Sequence, residues 1–256
     1  DLPAVQEFIE AGADLEAVGE GGGTALHAAT VRHRLEIVKA LLEAGASLSA
    51  TDTSGNTPLL VAAINEQEDF VKLFATDRAS LTAVQRENGC TALHECAQRG
   101  MVEAVKALVE NGAPLEAFDA AGDTPLLLAA IHDEENTLIF LAQNGADVAA
   151  LRRENRRTAL HECAQRGMVE AIKALVKAGA AIDARDGERD SPLILAAQSG
   201  KDEAVIALVE AGAEVRVKRR ESWRTALHEA VANGMTRAVE LLLEKGADAN
   251  EKDREG

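Results

Sequence analysis

The hydrophobic and polar positions of the chain repeat in a fixed order along its whole length. Thr or Ser, then Ala or Pro, then Leu opens about eight residues of helical periodicity, and a second apolar-periodic segment follows after a short turn. That second segment runs to a Gly-Ala pair and a polar loop. The openings recur at nearly constant intervals and stand at Thr24, Thr57, Thr91, Thr124, Thr158, Ser191 and Thr225. This order predicts an all-α repeat protein built from helix pairs.

The residues at the predicted helix ends suit those positions. A Thr or Ser hydroxyl at the N-cap accepts a hydrogen bond from a backbone N–H. Proline at the next position costs no hydrogen bond, because the N–H that it lacks has no partner inside the helix. Glycine after the second helix supplies the left-handed residue that closes it. Repeat two carries Arg78 where the other repeats carry this glycine, so we expect strain there and predict that Arg78→Gly raises the melting temperature.

A period of about 33 residues that carries G-x-T-[AP]-L-H and x-x-G-A-D resembles the ankyrin repeat family, over nearly all of residues 1–254. The resemblance implies a solenoid of antiparallel helix pairs, with hairpin-like fingers and a concave groove formed by fingers and first helices. We expect one array over 1–256, as a fragment of a longer array, whose partial first repeat begins with a second helix from Asp1. The boundaries are 1–20 for the partial repeat and 21–53, 54–87, 88–120, 121–154, 155–187, 188–221 and 222–254 for the others.

The intervals between successive openings alternate between a shorter and a longer value, which shows that the repeating unit is a pair of repeats. The extra residue lies in the finger, because Gly145 to Thr158 is one residue longer than Gly112 to Thr124. The longer fingers are also the basic ones, whereas the shorter fingers are neutral or acidic around Asp52, Asp119 and Asp186. We therefore expect basic fingers to recur about every 20 Å along one edge of an otherwise acidic chain.

Two sets of side chains are candidates for contact with a partner. Guanidinium groups on the fingers present a planar fork to carboxylates or phosphates, and an exposed indole can anchor an interface. The finger set is Arg152, Arg153, Arg156, Arg157, Arg219, Arg220, Trp223 and Arg224. The family resemblance places a second set on the groove side, namely Arg99, Ile131, His132, Gln165 and Arg166.

An internal role for the finger arginines is the competing interpretation. Arginines can pair with carboxylates of the same finger, such as Glu154, or of neighbouring first helices, such as Glu162 and Glu229. Trp223 can likewise stack on a neighbouring arginine instead of contacting a partner. The sequence leaves both interpretations open, and both can hold at once.

The composition argues against several classes of protein. A formal charge of −16 opposes general binding to nucleic acid or to an anionic membrane. No apolar stretch approaches the roughly 20 residues of a membrane helix, and no secretory leader is recognisable. Three cysteines without CxxC spacing form neither a disulfide framework nor a zinc site, so we expect a reducing, cytoplasmic setting.

Catalytic chemistry is not expected from the remaining candidates. The TALH histidines recur with the repeat, which argues against a single catalytic base, and the resemblance makes them structural; they are His27, His94, His161 and His228. Cys96 and Cys163 stand where other repeats have Ala, so we expect them to be buried. Cys90 is expected at an exposed finger position, without a base nearby. We predict no catalytic residue, no cofactor and no metal.

These features predict a non-enzymatic protein–protein interaction module that binds a partner segment through its concave groove and basic fingers. The expected partner is a protein or peptide, acidic or phosphorylated, and we predict neither nucleic-acid binding nor insertion into a membrane. We expect a monomer, with end-to-end association left open. Two alternatives remain: an engineered or consensus-derived scaffold without a natural ligand, and a regulatory array cut from a larger enzyme or channel.

Overall fold

A computed structural model describes residues 2–19 and 21–255, so Asp1, Glu20 and Gly256 lie outside the described residues. The predicted start of the first helix at Asp1 therefore falls outside them. Within the described ranges the fold is all-α, with sixteen helices and one isolated bridge between Lys218 and Thr225. The chain divides into two units, 1–120 and 121–256.

The first unit contains a single helix, three helix pairs and one short extra helix. Each first helix packs on its own second helix, and successive first helices pack side by side, as α2 does on α4 and α4 on α7. The helices are α1 Leu2–Glu10, α2 Ala25–Val31, α3 Leu35–Glu43, α4 Pro58–Ile64, α5 Glu68–Phe74, α6 Arg78–Leu81, α7 Ala92–Gln98 and α8 Val102–Glu110.

The second unit contains four helix pairs. Its first helices, α9, α11, α13 and α15, form one packed layer, and its second helices, α10, α12, α14 and α16, form the other. The bounds are α9 Pro125–Ile131, α10 Glu135–Gln143, α11 Ala159–Arg166, α12 Val169–Lys177, α13 Pro192–Gln198, α14 Asp202–Glu210, α15 Ala226–Ala232 and α16 Thr236–Glu244.

Local sequence explains where the first helices begin. All seven predicted Thr or Ser openings are N-cap residues with extended backbone, and each helix starts at the next residue. The Oγ1 atom of Thr57, for example, accepts a hydrogen bond from the Leu60 N–H at 3.3 Å. The predicted helix starts are therefore confirmed, because capping depends on residues within one turn.

Three of the TALH histidines, His27, His94 and His161, connect a helix cap to the next finger, and His228 bonds to its own cap residue, Thr225. The Thr158 N–H donates to His161 Nδ1 at 3.2 Å, while His161 Nε2 lies 3.3 Å from the carbonyl oxygen of Asp190. In the first unit, His27 Nε2 lies 2.9 Å from the carbonyl oxygen of Asn56. The structural role predicted for these histidines is confirmed.

Small side chains let the first helices approach one another closely. Pairs such as Ala62 and Ala63 are fully buried, as are Cys96 and Cys163 at equivalent alanine positions, which confirms their predicted burial. Larger aliphatic residues fill the space between first and second helices. A chain with one Trp, five Phe and no Tyr can therefore bury a core as thin layers.

The loop after α5 is built differently from the sequence-based expectation. Arg78 is the first residue of α6, where its backbone is helical, and Asp77 caps this helix by accepting the Ser80 N–H at 3.1 Å. The buried Ser80 hydroxyl donates to the Leu48 carbonyl at 2.7 Å. The prediction of a strained, left-handed Arg78 is therefore wrong, because a capped helical turn replaces the glycine turn.

Candidate partner-binding surface

Three fingers of the second unit carry most of the predicted contact residues. We name them finger A (residues 151–157), finger B (184–190) and finger C (217–224). In finger A the Arg156 N–H donates to the Arg152 carbonyl at 2.9 Å, whereas in finger B the corresponding bond spans one residue fewer, from the Arg189 N–H to the Asp186 carbonyl at 3.0 Å. The extra residue of the longer spacing therefore lies in the finger turn, as predicted.

Backbone contacts fix neighbouring fingers to each other. The Gly187 N–H of finger B donates to the Asn155 carbonyl of finger A at 2.7 Å. A Cβ atom on Gly187 would lie 3.0 Å from that carbonyl oxygen, so the close approach favours glycine. The Arg254 N–H likewise donates to the Ser222 carbonyl of finger C at 3.0 Å. Hydrogen bonds between backbones therefore join finger A to finger B, and finger C to the loop that contains Arg254.

Glu162 of α11 is the centre of an ion-pair cluster at the base of finger A. Its side chain is almost fully buried, with the residue 3% exposed. Its carboxylate lies 3.3 Å from Nη1 of Arg152, 3.9 Å from Nη1 of Arg157 and 3.0 Å from Nη1 of Arg166. A buried carboxylate needs such compensation, so these three arginines have an internal role.

Further arginines join one finger to the next. Arg157 of finger A lies with Nε 3.1 Å from Oδ2 of Asp186 in finger B. Arg219 of finger C holds Asp190 of finger B in a bidentate pair, with distances of 3.1 and 2.9 Å. Burial raises the pKa of Asp190 despite this guanidinium.

Two further ion pairs join finger arginines to carboxylates outside their own finger. Arg152 Nε lies 3.3 Å from Oδ1 of Asp123, and Arg224 Nε lies 3.2 Å from Oε1 of Glu229 on α15. Arg152 also reaches the exposed Glu154 at 3.3 Å. The internal ladder that the sequence left open is therefore present for Arg152, Arg157, Arg219 and Arg224.

Three of the groove-side candidates are also held by neighbours. Arg166 Nε lies 2.8 Å from Oδ1 of Asp133, and its Nη2 donates to the Ile131 carbonyl at 2.6 Å. Gln165 Oε1 accepts a hydrogen bond of 2.6 Å from Arg157 Nη1. His132 is exposed and the Ile131 side chain is half-buried. In the first unit, Arg99 pairs with two carboxylates, those of Glu95 and Glu66.

The other predicted finger residues project into solvent. Arg153, Arg156 and Arg220 are exposed, and their guanidinium groups have no ion-pair or hydrogen-bond partner in the part of the chain that the structure describes. Trp223 is 50% exposed. Its ring centroid lies 5.9 Å from Lys218 Nζ and 5.5 Å from Arg254 Cζ, so stacking on a neighbouring arginine does occur.

Finger B presents positive charge that sequence reasoning missed. Its two aspartates, Asp186 and Asp190, are only 4% and 2% exposed and are paired, whereas Arg185 and Arg189 are exposed together with one acid, Glu188. The expectation that the finger around Asp186 is neutral or acidic is therefore wrong for its surface. The basic and acidic fingers that alternate in the sequence are therefore not distinguished in this way at the surface of finger B, because Asp186 and Asp190 are buried and two arginines are exposed beside Glu188.

One position near the tip of every finger has left-handed backbone. Four fingers place glycine there, and fingers A, B and C place a large side chain. The glycines are Gly22, Gly55, Gly89 and Gly122, with φ of 70°, 80°, 69° and 82°. The large residues are Arg156, Arg189 and Trp223, with φ of 57°, 64° and 60°. These positions recur with the period of the repeat, so the sequence itself could have revealed the substitution.

Cys90 is buried, with 3% exposure, so the prediction that it is exposed is wrong. Its burial raises its pKa to about 12, with the carboxylates of Glu95 and Asp119 adding to the effect. Among residues 2–19 and 21–255, no cluster of three metal-ligating side chains is present. The same ranges contain no helix with the length and hydrophobicity needed to cross a membrane.

Packed helix pairs that project a loop from each repeat define the helical repeat proteins, whose surfaces bind other proteins. A profile described as ankyrin repeats in three copies matches residues 1–85, 77–152 and 160–253. The chain belongs to the ankyrin repeat family, which confirms the resemblance stated from the sequence. Ankyrin repeats are a non-catalytic interaction fold.

The structure is similar to the ankyrin repeat domain of Bcl-3, described as a unique member of the IkappaB protein family. The TM-score is 0.72 at 28% identity, covering 88% of this chain and 100% of that one. The B-cell lymphoma 3 protein homolog of Mus musculus is 34% identical over 114 residues, which are 44% of this chain and 25% of that protein.

Two further relatives show the range of proteins that contain such repeats. Tyrosine-protein kinase HTK16 of Hydra vulgaris is 36% identical over 110 residues, 43% of this chain and 14% of the kinase. Ankyrin repeat and SOCS box protein 16 of Homo sapiens is 30% identical over 171 residues, 64% of this chain and 38% of that protein. The chain therefore spans well under two thirds of these relatives.

Proposed function

We propose that the chain is a non-enzymatic protein–protein interaction module that binds an acidic or phosphorylated partner segment through fingers A to C and the adjoining first helices. The observation that carries this proposal is the exposed, unpaired positive charge of Arg153, Arg156 and Arg220. Each finger also exposes one glutamate, namely Glu154, Glu188 or Glu221, while the two aspartates of finger B are buried. On a chain with a net charge of −16, such a patch acts locally, within a Debye length of roughly 8 Å at physiological ionic strength.

The paired arginines have a supporting part in this proposal. Because Arg152, Arg157 and Arg219 hold the fingers together, the exposed side chains are presented on a backbone that needs little ordering on binding. Arg224 does the same at the base of finger C through Glu229. Preorganisation of this kind favours affinity, since less conformational entropy is lost when the partner docks.

The first helices contribute the second part of the proposed surface. His132 is exposed and Ile131 half-buried, so both can contact a partner directly. Gln165 and Arg166 are also proposed contacts, through the parts of their side chains that the internal bonds leave accessible. Arg99 is proposed separately, as a contact of the first unit. Charge matching at such a rim sets specificity and association rate more than affinity.

The test compares two charge-matched variants for binding to immobilised poly-glutamate and to phosphoserine peptides. The finger variant carries Arg153→Gln with Arg220→Gln, and the control carries Lys173→Gln with Lys177→Gln on the exposed face of α12. We expect the parent chain and the control to bind alike and the finger variant to bind about tenfold more weakly. Equal binding by all three chains, or no binding by the parent, would contradict the proposal.

A regulatory role within a larger protein is the second candidate, and the comparisons favour it specifically. The chain matches only 14% of a tyrosine-protein kinase and 38% of a SOCS box protein, so repeats of this kind occur beside other domains.

We further propose that the chain is a monomer in the cytoplasm. Sedimentation equilibrium over a wide concentration range tests the monomer, and a mass that rises with concentration would indicate end-to-end association instead.

A further inference from the structure

The left-handed tip position distinguishes fingers A, B and C from the other fingers. A non-glycine residue in this conformation is destabilised because its Cβ atom lies too close to the backbone, and neither arginine nor tryptophan is among the types that tolerate it best. Arg156, Arg189 and Trp223 nevertheless occupy it in three successive fingers. Strained residues of this kind persist where the surrounding structure or a function requires the side chain.

Three other non-glycine residues with left-handed backbone have side chains that bond to other residues of the fold. Three turns between first and second helices also place a non-glycine residue at positive φ, and in each turn the side chain pairs with a neighbouring repeat of the same unit. These residues are His33, Glu66 and Asp133, and their partners are Asp69, Arg99 and Arg166, at 3.0, 3.6 and 2.8 Å. At these turns the left-handed residue therefore has a polar partner in a neighbouring repeat.

The finger-tip arginines lack such a partner. The side chains of Arg156 and Arg189 are exposed, and their guanidinium groups have neither an ion pair nor a hydrogen bond among the described residues of their unit. Ion pairs and hydrogen bonds inside the fold therefore do not explain the strain at the two arginine tips, and Trp223 keeps half of its surface available despite its contacts with Lys218 and Arg254.

The spacing of the tips fits an extended chain. Neighbouring helix pairs pack roughly 10 Å apart, and an extended peptide advances roughly 3.3–3.6 Å per residue, so one finger corresponds to about three peptide residues. Between fingers B and C lies an open depression of about 590 Å³, lined by Arg185, Arg189, Lys218, Val217 and Glu214. This depression offers three basic side chains and the apolar side chain of Val217, with one acid, Glu214, also in its lining.

We propose that Arg156, Arg189 and Trp223 together read one extended acidic segment of a partner protein. An acidic side chain pairs with the tip of finger A, a second one about three residues along pairs with finger B, and an apolar side chain about three residues further packs on Trp223. Carboxylates and phosphorylated serines share the required anionic oxygens. This inference rests on the proposed function of fingers A to C and adds the register and the residues that define it.

Glycine substitution at the tips separates a binding role from a structural one. Arg156→Gly with Arg189→Gly, and separately Trp223→Gly, remove the side chain while relieving the left-handed strain. We expect both variants to melt no lower than the parent chain and to lose at least tenfold in affinity. A lowered melting temperature with unchanged affinity would show that the tips stabilise the fold, and would overturn the proposal.

Two peptides of equal composition test the register. In SEGSEGSLG the acids and the leucine are three residues apart, and in SGSEELGSG they are adjacent. Trp223 is the only tryptophan, so its fluorescence reports binding at finger C directly, and a labelled peptide serves for the Trp223→Gly variant. We expect the spaced peptide to bind at least fivefold more tightly; equal affinities would overturn the register.

The outcomes separate this inference from the function on which it rests. If Arg153→Gln with Arg220→Gln weakens acidic-peptide binding while the glycine variants bind like the parent, the interaction function stands and the tip inference fails. If the parent binds no acidic peptide, both fail. Replacing glutamate by phosphoserine in the spaced peptide identifies the source of the anion: tighter binding indicates a phosphorylated partner, and equal or weaker binding an acidic one.

Discussion

Arg152 and Glu162 form an ion pair between finger A and the first turn of α11, with Nη1 of the arginine 3.3 Å from Oε1 of the glutamate. The glutamate is buried and also forms ion pairs with Arg157 and Arg166. Two of the four arginines of finger A, Arg152 and Arg157, therefore point toward the interior of the fold. The charge that finger A exposes to solvent is therefore set by Arg153, Glu154 and Arg156, and not by its count of arginines.

The ion-pair cluster around Glu162 predicts that Glu162→Gln strongly lowers the free energy of unfolding. Glu162→Gln leaves three guanidinium groups around a neutral amide, and we expect the free energy of unfolding to fall by about 2–3 kcal/mol. Urea titration followed by circular dichroism measures it. The control is Glu170→Gln, which breaks the exposed pair with Lys173 and should lower stability far less, because water screens that pair. Equal losses in the two variants would contradict an internal role for the cluster.

The helical turn at Arg78 reverses the effect expected from the sequence. Since Arg78 begins α6 with helical backbone, Arg78→Gly adds backbone freedom to the unfolded chain without relieving strain. We expect the free energy of unfolding to fall by roughly 0.5–1 kcal/mol. Comparison of urea midpoints with those of Arg78→Ala, which keeps the helical preference, tests this. A glycine variant more stable than the parent would show that the turn is strained after all.

Features that depend on neighbouring residues in the sequence were predictable. Helix starts follow from Thr or Ser and the residues of one turn. The structural role of His161 was predicted from the family resemblance of the TALH motif. The position of the extra residue in the longer fingers is equally local. The period then assembles these elements, because identical helix pairs can bury their apolar faces only against each other.

Features that depend on contacts between repeats were not predictable from the sequence. Whether Arg157 is free or paired is decided by Asp186, which lies in the next finger. The turn at Arg78 depends on the buried Ser80 reaching the Leu48 carbonyl of the preceding repeat. Likewise, Cys90 is hidden although it stands in a loop. In each case the deciding partner lies in a position that periodicity does not specify.

The buried thiols predict low reactivity in the folded chain. Burial raises the pKa of Cys90 to about 12 and also raises the pKa of Cys96 and of Cys163, so the reactive thiolate is scarce near neutral pH. We expect Ellman's reagent to label none of the three quickly in buffer and all three quickly in urea. One rapid equivalent in buffer, lost in Cys90→Ala, would show that this finger exposes its thiol.

The buried imidazole of His161 predicts a pH dependence of stability. Burial lowers the pKa of His161 below its ordinary value of 6.5, although the nearby carboxylate of Asp186 acts in the opposite direction. Above that value the imidazole is neutral in both states. As the pH falls below it, the unfolded chain takes up the proton first, so stability decreases until the pH passes the lower pKa of the folded state.

Urea unfolding at about pH 7.5 and about pH 5.5 measures this loss, which we expect to be as much as about 1 kcal/mol from His161 alone. His161→Gln should lower stability at both pH values but reduce the difference between them, because the proton-linked part is gone. The matched control, His132→Gln, removes an imidazole at the surface instead. If the His161 variant keeps the full difference of the parent chain, another group is responsible for the pH dependence.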